Sequence, residues 1–460
     1  MESLKQLFKN KKVCILGYGL EGRSTLAWIK KYIMAELRSI TIADENPSAL
    51  HDELVNSCEC KLRYGYDYLE GLSQYDLIIK SPGVNLTKLE EVFDEDRIIS
   101  QSDIFLYAFK KQTIGITGTK GKSTTSSLLY EILKQDGREV LLLGNIGIPP
   151  LDAWEQVKED TIIVFEMSSH QLEYIHHAPS IAVLLNLFQE HLDHYRDFFH
   201  YQMSKFNIVY RQHRDDLLVT HLDDQRIQQL IGEMNNQRQL RYFSLHPHTN
   251  NGMYLENNNL IFTEGQRTDI IASQNDLGHL KGEHNLLNAM AAILVALEKN
   301  VSLSTIIHSL KTFKGLIHRM EYVSEKQGIT FYNDAIATIP EATMAAVESL
   351  ELVGTLILGG FDRGIDYHDL AEFLIHSDIA NLVFMGTAGE RIMDEMKARD
   401  SSTQAKLYQA KDLADAVRFA FKHTPVNTIC LLSPAASSYD QFKNFMEKGD
   451  TFKQLVYALK

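Results

Sequence analysis

The residues best suited to chemistry lie in a glycine-containing loop near position 120. This loop follows a β-type run over 112–117 and precedes an amphipathic run over 126–134. In such a strand-to-helix turn, backbone N–H groups point at phosphate oxygens, Lys122 supplies positive charge, and a hydroxyl from Ser123 or Thr124 can ligate Mg²⁺. The pattern predicts an ATP site, with an ordinary glycine-rich turn as the alternative. The residues that we expect at the phosphates are Gly118, Thr119, Lys120, Gly121, Lys122, Ser123 and Thr124.

Further polar groups follow the strands that are predicted after this loop. Glu166 ends the apolar run 161–165, at the place where a phosphate-loop fold holds a Mg²⁺-binding carboxylate. The cluster Glu190-His-Leu-Asp-His194 follows the run 181–186, and Asn145 lies in the loop after another strand. The carboxyl ends of parallel strands meet at one edge of a sheet, so we expect a ligand site there. Solvated loop side chains and a plain turn asparagine are the alternatives.

A second glycine-rich turn lies near the amino terminus. Gly17-Tyr-Gly-Leu-Glu-Gly22 follows a strand over 12–16, and Asp44 ends the next strand. This fingerprint brings a backbone close to a diphosphate at a helix N-terminus, and it suits NAD or a UDP-sugar. The turn Ser81-Pro-Gly83 follows a third strand of the same sheet, where such folds bind ligands.

The rest of the chain continues the alternation of strands and helices. A helix begins after Gly282 and places Asn285 and Asn288 on one face by their i, i+3 spacing. The segment 217–280 is β-rich and carries no chemistry that we assign. After Gly315, strands and helices alternate again with polar residues at the strand ends, which predicts a second dinucleotide-fold-like unit.

Length and composition set the class of protein. With 460 residues, 44% of them hydrophobic, the chain can bury three cores, and we expect an α/β protein with domains over 1–110, 111–314 and 315–460. A formal charge of −14 argues against a global attraction to nucleic acid or anionic lipid, so the predicted partners are small molecules. The four cysteines lack zinc-site spacing, which favours free thiols. Without a signal-peptide core or a membrane-length apolar run, a cytoplasmic monomer is expected.

Together, these motifs resemble the Mur ligase family, ATP-dependent amide ligases of peptidoglycan precursor synthesis. The likeness is greatest to members that add D-glutamate to UDP-N-acetylmuramoyl-L-alanine, especially in the tail 438–449. It implies a Rossmann-like UDP-binding domain, a central P-loop-type ATPase domain and a Rossmann-like C-terminal domain that binds the amino acid. The matching motifs are Gly17–Gly22, Ser81–Gly83, Gly118–Thr124, Gly144–Gly147, Glu166–Ser169, His191, Lys205, His284-Asn285, His318-Arg319, Asp334 and Leu432–Ala435.

The resemblance also implies a reaction. The substrate carboxylate attacks the γ-phosphate of ATP, and the amino group of glutamate then displaces phosphate from the acyl phosphate. The implied catalytic residues are Lys122, Glu166, His191 and Lys205. One Mg²⁺ would be bound by Ser123 and Glu166, and another by His191 and by Lys205 as a carbamate. An unmodified, substrate-binding Lys205 is the alternative.

Three sets of binding residues are carried over by the same resemblance. Beyond the phosphate loop, ATP would meet Asn285 at the adenine, Asp334 at the ribose, and also His318 and Arg319. The UDP-substrate set is Gly17, Gly19, Leu20, Asp44, Ser81, Gly83, Asn145, Ser168 and His191. The amino-acid set is Thr338, Arg363, Ser438 and Phe445.

The chain departs from the family pattern after Asp334. Members that add D-glutamate read Ser-Lys-Ala-Thr-Asn there, whereas this chain reads Ala-Ile-Ala-Thr-Ile over 335–339, so Ile336 stands where a lysine helps to hold glutamate. Loss of one charge-assisted contact costs ~1.5–3 kcal/mol, enough to change the preferred amino acid. L-Glutamate or another amino acid is therefore an alternative substrate.

Two more distant alternatives remain from the sequence. A folylpolyglutamate synthetase-like ligase shares the ATPase core, but it leaves the Gly17–Gly22 fingerprint unexplained. A non-catalytic nucleotide-binding protein would be expected to lose some of the four catalytic candidates, and all four are present.

Overall fold

The computed structural model describes residues 1–47, 52–87, 94–144, 148–190, 194–234, 238–280, 282–315, 317–350, 352–399 and 403–460. It divides into two compact units, Met1–Phe313 and Lys314–Lys460. These residues contain three sheets, two in the first unit and one in the second. The predicted α/β fold class is therefore confirmed. No helix in the described ranges is long and apolar enough to cross a lipid bilayer.

The N-terminal sheet has five parallel strands in the order β3-β2-β1-β4-β5. Its strands are β1 (Lys12–Leu16), β2 (Ser39–Asp44), β3 (Lys61–Tyr64), β4 (Leu77–Lys80) and β5 (Ile98–Ile99), and its helices are α1 (Glu2–Phe8), α2 (Leu20–Tyr32), α3 (Glu53–Asn56) and α4 (Gln101–Phe109). Strands β1 and β4 are almost wholly buried, which explains their unbroken apolar runs.

The central sheet has nine strands in the order β14-β13-β12-β11-β10-β9-β6-β8-β7. Its strands are β6 (Thr113–Thr117), β7 (Val140–Gly144), β8 (Ile162–Glu166), β9 (Ile181–Leu184), β10 (Leu217–His221), β11 (Gln239–Ser244), β12 (Gly252–Glu256), β13 (Asn259–Glu264) and β14 (Arg267–Ser273). The pairing is parallel from β7 to β12, whereas β13 and β14 pair antiparallel. Strand β6, which leads into the phosphate loop, lies between β8 and β9.

Helices cover this central sheet and complete its core. They are α5 (Lys122–Gln135), α6 (Ser169–Leu172), α7 (Phe198–Tyr210), α8 (Gln225–Gly232), α9 (Glu283–Glu298) and α10 (Leu303–Thr312). Residues 288–296 of α9 are all buried, as expected for a helix that is apolar around its circumference. They share one hydrophobic core with Leu128, Leu129 and Ile132 of α5. The helix that follows the phosphate loop is therefore fixed by α9.

The C-terminal sheet has six strands in the order β15-β16-β20-β17-β18-β19, parallel except for the edge strand β15. Its strands are β15 (Glu321–Lys326), β16 (Ile329–Asn333), β17 (Val353–Gly359), β18 (Asn381–Met385), β19 (Lys406–Gln409) and β20 (Thr428–Leu432), and its helices are α11 (Pro340–Ser349), α12 (His368–Ile375), α13 (Gly386–Arg399), α14 (Leu413–His423) and α15 (Phe445–Tyr457). Every residue of β17 is buried.

Candidate functional site

The phosphate loop is shaped by two glycines that no larger residue can replace without strain. Gly118 and Gly121 have φ of +155° and +86°. A Cβ on Gly118 would lie 2.9 Å from the Cβ of Leu185, and one on Gly121 would lie 2.1 Å from Oδ1 of Asn288. The loop joins β6 to α5, as the sequence predicts. Its backbone therefore passes close to neighbouring residues, with space only for glycine at both positions.

Asn186 holds the loop from the end of the neighbouring strand β9. The N–H groups of Thr119 and Lys120 donate to the backbone oxygen and to Oδ1 of Asn186, at 3.0 and 2.8 Å, and its Nδ2 donates to the Lys120 oxygen at 3.0 Å. The Thr119 hydroxyl lies 2.9 Å from the Tyr201 hydroxyl. The sequence analysis missed Asn186, although it ends the predicted run 181–186 and so shared the strand-end signal of the other polar residues.

Lys122 and Glu166 both lie near the carboxyl end of β6. The Lys122 ammonium donates to the backbone oxygens of Gly118 and Thr119, both at 2.9 Å. Glu166 is fully buried at the end of β8, in register with Ile116 of β6. Because the β6–β8 pairing leads directly into the loop, the structure brings this carboxylate to the base of the phosphate loop.

Lys205 is a buried lysine in the same neighbourhood. Its side chain on α7 is 2% exposed, and its ammonium lies 5.0 Å from the centre of the Tyr201 ring. Burial, together with the positive charge of Lys122, holds the pKa of Lys205 well below its usual value, and the carboxylates of Glu190 and Glu166 oppose this shift only in part. The predicted catalytic residues Lys122, Glu166 and Lys205 are thus near enough to influence each other electrostatically.

Two predicted residues of this site lie outside the described residues, namely His191 and Asn145. Beside the first of them, the Glu190 carboxylate accepts a hydrogen bond from the Lys120 ammonium at 2.7 Å. This ion pair joins the cluster that follows β9 to the phosphate loop. The predicted proximity of the cluster and the loop is therefore confirmed at Glu190.

The donor atoms of the site suit Mg²⁺ better than a soft metal. Ser123 and Glu166, both buried, supply a hydroxyl and a carboxylate, and Mg²⁺ prefers oxygen ligands. Across the described part of the chain, no group of three or more His, Cys, Asp or Glu side chains could hold a metal ion. The ammonium of Lys205 repels a cation, so this lysine would need to become an anion before it could be a ligand.

The first turns of α9 bring two asparagines towards the phosphate loop. Asn288 is buried against Gly121, and its Nδ2 lies 3.4 Å from Oδ1 of Asn285. The predicted common face of these two residues is confirmed. The structure adds that Asn288, to which the sequence analysis gave no role, is the one that contacts the loop.

In the N-terminal sheet, the glycine fingerprint forms a compact turn at the carboxyl ends of β1 and β4. Gly17 has φ of +89°, and its backbone oxygen accepts a hydrogen bond from the Ser81 hydroxyl at 2.7 Å. Both carboxylate oxygens of Asp44 accept backbone N–H groups, from Tyr18 at 2.5 Å and from Asn46 at 2.7 Å. Asp44 therefore shapes this turn.

The other predicted substrate residues lie around the same turn. Gly19 precedes the first residue of α2, Leu20, which is 74% exposed, and Gly83 is exposed after β4. An exposed leucine at a helix N-terminus leaves the backbone N–H groups of that terminus open to an anion. Ser168 instead caps α6 in a reciprocal pair with Gln171.

A buried polar network joins the N-terminal sheet to the central sheet. The Lys80 ammonium lies 3.1 Å from the Glu173 carboxylate, which is also 3.5 Å from Nε2 of His194. Gln171 donates to the Glu21 carboxylate at 2.7 Å. Burial lowers the pKa of Lys80, and the charge of Glu173 opposes that effect. The sequence analysis missed the contacts between the two sheets because Lys80 and Glu173 are 93 residues apart, and Glu21 and Gln171 are 150 apart.

In the second unit, Asp334 and His318 are held together at the end of β16. Asp334 accepts hydrogen bonds from the Ser433 hydroxyl at 2.8 Å and from the Met320 N–H at 3.2 Å, and burial raises its pKa to about 7. His318 has φ of +62°, its Nδ1 lies 3.0 Å from Nδ2 of Asn333, and burial lowers its pKa. Arg319 interacts electrostatically with Asp334. The structure thus brings His318, Arg319 and Asp334 together, and their binding of ATP stays a prediction.

The predicted amino-acid residues lie at the carboxyl ends of β16, β17 and β20. Arg363 is exposed, and its guanidinium donates to the backbone oxygen of Thr338 at 3.2 Å. Ser438 is 2% exposed, and among the described residues its hydroxyl has no hydrogen-bond partner. Phe445 begins α15, with its ring centre 6.2 Å from that of His318. Ile336 is half-buried and adds no charge.

Comparisons with known proteins agree with the motifs. Family models described as "Mur ligase middle domain" and "Mur ligase, glutamate ligase domain" match residues 116–296 and 318–436. A relative named UDP-N-acetylmuramoylalanine--D-glutamate ligase, from Acetivibrio thermocellus, is 31% identical over 100% of this chain and 99% of its own length. One of the same name from a Thermoanaerobacter species is 33% identical over 98% and 99%.

The fold is also found among solved structures. The crystal structure of the MurF ligase from Thermotoga maritima in complex with ADP superposes with a TM-score of 0.51 and covers 98% of this chain and 96% of its own. At 17% sequence identity, this likeness concerns the fold.

Proposed function

Because the chain belongs to the Mur ligase family of ATP-dependent ligases, we propose that it joins D-glutamate to UDP-N-acetylmuramoyl-L-alanine. ATP is converted to ADP and phosphate through an acyl phosphate of the alanyl carboxylate. The observation that carries the proposal is the meeting of Lys122, Glu166 and Lys205 beside a phosphate loop. Phosphoryl transfer to a carboxylate needs such a site, because two anions must be aligned and their charge neutralised.

Each of these residues has a defined part in the proposed mechanism. The Lys122 ammonium donates to backbone oxygens of the loop. In the proposed mechanism, its positive charge binds the outer phosphates of ATP. Ser123 and Glu166, with His191 and carbamylated Lys205, would hold Mg²⁺, which when bound supplies charge neutralisation at the phosphate oxygens. The loop backbone from Gly118 to Thr124 binds the phosphates through N–H groups.

Lys205 acts in this mechanism as a carbamate. The ammonium first loses one proton, the neutral amine nitrogen then attacks the carbon of CO₂, and loss of a second proton leaves the anionic carbamate. Only the neutral amine has the lone pair for this reaction, and the burial of Lys205 favours the neutral form. The carbamate provides the oxygen ligand that an ammonium cannot.

The remaining binding roles follow the family likeness and the positions described above. Asn285 binds the adenine, and Asp334, with His318 and Arg319, the ribose side of ATP. The UDP moiety binds at the glycine-rich turn, at Gly17, Gly19, Leu20, Asp44, Ser81 and Gly83. Asn145 and Ser168 bind the rest of that substrate. Thr338, Arg363, Ser438 and Phe445 form the amino-acid pocket. We assign these functions to domains over 1–110, 111–314 and 315–460 of a cytoplasmic monomer.

The experiment that tests the proposal measures phosphate release from ATP and Mg²⁺ with UDP-N-acetylmuramoyl-L-alanine. D-Glutamate, L-glutamate, D-aspartate and glutamine are compared, and UDP-N-acetylmuramate without alanine is the substrate control. Release that requires both the alanyl substrate and D-glutamate is expected. Lys122→Met is the matched enzyme control and should release no phosphate with any amino acid.

The other outcomes separate the alternatives. A preference for L-glutamate would retain the mechanism but refute the D-specificity, and Ile336 in place of the family lysine would be the first residue to examine. No stimulation by any amino acid would contradict the ligase proposal itself.

A further inference from the structure

Lys448 is a fully buried lysine with no part in the mechanism above. It lies in the first turn of α15 and is 1% exposed. Its ammonium donates one hydrogen bond, at 2.8 Å, to the backbone oxygen of Gly359 at the end of β17. Within the described ranges, no carboxylate oxygen lies within 4.0 Å of it. A buried ammonium with a single neutral acceptor is costly to the fold, which makes this lysine a candidate for a functional role.

The Lys448 ammonium lies next to the place where the loop after β17 contacts the segment after β20. A Cβ on Gly360 would lie 3.3 Å from the Lys448 nitrogen and 2.2 Å from the backbone oxygen of Ser437. Phe361 donates its N–H to that same oxygen at 2.9 Å, and the two residues form an isolated antiparallel bridge. Lys448 therefore supports the point where the loop after β17 meets the segment after β20.

This junction carries two residues of the proposed amino-acid pocket. Arg363 lies in the loop that begins at Gly360, and Ser438 follows Ser437. The buried Ser438 hydroxyl lacks a partner among the described residues, which indicates that a polar group of a ligand forms a hydrogen bond with it. Ile336 contributes no charge, whereas Arg363 and Lys448 each bring a cation to this junction, where the Lys448 ammonium donates to the backbone oxygen of Gly359.

We infer that Lys448 is a positioning residue for the acidic amino acid, holding the Gly359–Phe361 segment in place and adding positive charge behind the pocket. The inference rests on the proposed function, since it concerns the same substrate. Burial lowers the pKa of Lys448 to about 8, so the side chain is still mainly charged at pH 7. The exposed carboxylate of Asp440 stabilises that charge from outside. A neutral side chain of similar length would keep the packing and lose the charge.

The test compares Lys448→Gln, Lys448→Met and Lys448→Arg with the wild type in the phosphate-release assay. Gln keeps a donor for the Gly359 oxygen without the charge, Met removes both, and Arg keeps both. Lys443→Met, at an exposed lysine of the same segment, is the matched control. For Gln and Met we expect KM for glutamate to rise about tenfold or more, with KM for ATP and the UDP substrate within about twofold. Arg and the control should resemble the wild type.

A second measurement distinguishes the charge from a merely structural role. The ratio of kcat/KM for glutamate to that for glutamine should fall in Lys448→Gln, because a positive charge favours the carboxylate over the amide. An unchanged ratio, an unchanged KM for glutamate in a variant with a wild-type thermal transition, or an equal rise of all three KM values would overturn the inference. Absence of activity in the wild type itself would instead contradict the proposed function.

Discussion

Lys205 is a buried lysine whose positive charge is unfavourable at its position. The side chain is 2% exposed, and the charge of Lys122 acts against an ammonium at this position. A structural lysine would be expected to have a close carboxylate partner, yet no ion pair to Lys205 within 4.0 Å occurs among the described residues. A carbamate at Lys205 reverses the sign of the charge, so that the attraction to Lys122 becomes favourable. We therefore expect the carbamate to suit the neighbouring Lys122, whereas the carboxylates of Glu166 and Glu190 would repel it unless Mg²⁺ is bound beside them.

Lys205→Ala tests this account at the level of one residue. We expect the variant to lose at least about 100-fold in kcat, because the anionic ligand is lost from the phosphate site. Added formate, acetate or propionate should restore part of the activity by placing a carboxylate in the space of the missing side chain. Lys122→Ala is the control, since a small carboxylate cannot replace a cation. Full activity of Lys205→Ala, or equal rescue of both variants, would contradict the carbamate.

At the scale of secondary structure, α9 determines the shape of the phosphate loop. Asn288 of α9 occupies the space beside Gly121, while Asn186 after β9 accepts and donates hydrogen bonds to the loop from the other side. Helix α5 follows the loop and shares its core with α9. The loop is thus held by two elements that are distant from it in sequence.

Gly121→Ala measures how much this packing matters for ATP. Both Gly121 and Gly137, which lie at opposite ends of α5, have positive φ, at +86° and +79°. A Cβ on Gly137 meets nothing within 4 Å, whereas one on Gly121 would lie 2.1 Å from Asn288. We expect Gly137→Ala to cost about 1–2 kcal/mol of unfolding free energy from backbone strain alone. Gly121→Ala should cost more and weaken ATP binding at least about tenfold.

The measurements are thermal unfolding and calorimetric titration with ATP for both variants. Equal effects of the two substitutions on ATP affinity would show that strain, and not the contact with Asn288, governs the loop. Tighter or unchanged ATP binding by Gly121→Ala would exclude the proposed role of this packing altogether.

The sequence predicts those elements whose signal is local. Strand β1 has its predicted bounds over 12–16, because a buried parallel strand is a continuous apolar run. The short edge strands β3, β15 and β19 were not predicted, since an edge strand such as Lys61–Tyr64 remains partly exposed and carries polar residues. The first turn of α5 was missed for a related reason: Lys-Ser-Thr-Thr has no apolar period.

The residues of the site likewise fall into those that a local sequence signal predicted and those that it did not. The spacing of its glycines and the order of its strand ends predicted Lys122 and Glu166 at one edge of the sheet, whereas Lys205 was named only through the family resemblance. Nothing local to Asn186, Lys80 or Lys448 shows which distant group each one meets, because such partners are fixed only when the chain folds. The segment 217–280 was predicted to be β-rich, and it also contains the helix α8.

At the largest scale, the first unit is held together across its two sheets by an aromatic cluster and by ion pairs. Trp28 of the N-terminal part packs on Trp154 of the central part, with ring centres 5.0 Å apart. Among the ion pairs that join the same parts are Lys80–Glu173, which is largely buried, and Lys31–Glu155, which is exposed. The buried pair links the residue before Ser81 to the helix region after Ser168, so it connects two proposed substrate-binding segments.

These two ion pairs allow a matched test of how the sheets are coupled. Lys80→Met leaves the partly buried Glu173 carboxylate with His194 as its close partner among the described residues, and we expect a loss of about 3–5 kcal/mol in unfolding free energy. The double variant Lys80→Met with Glu173→Met should recover most of that loss, because an apolar pair needs no desolvation of charge. Lys31→Met should barely change stability, since solvent screens its exposed partner.

Urea unfolding can be followed by tryptophan fluorescence, because the chain has two tryptophans and both lie where these parts meet. A transition in Lys80→Met at the same urea concentration as in Lys31→Met would contradict the importance of the buried pair. The KM for the UDP substrate adds a functional measure. If the buried pair aligns the turn at Ser81 with Ser168, this KM should rise in Lys80→Met and stay near the wild-type value in Lys31→Met. A loss of stability without a change in KM for the UDP substrate would show that the Lys80–Glu173 pair stabilises the fold and does not affect substrate binding.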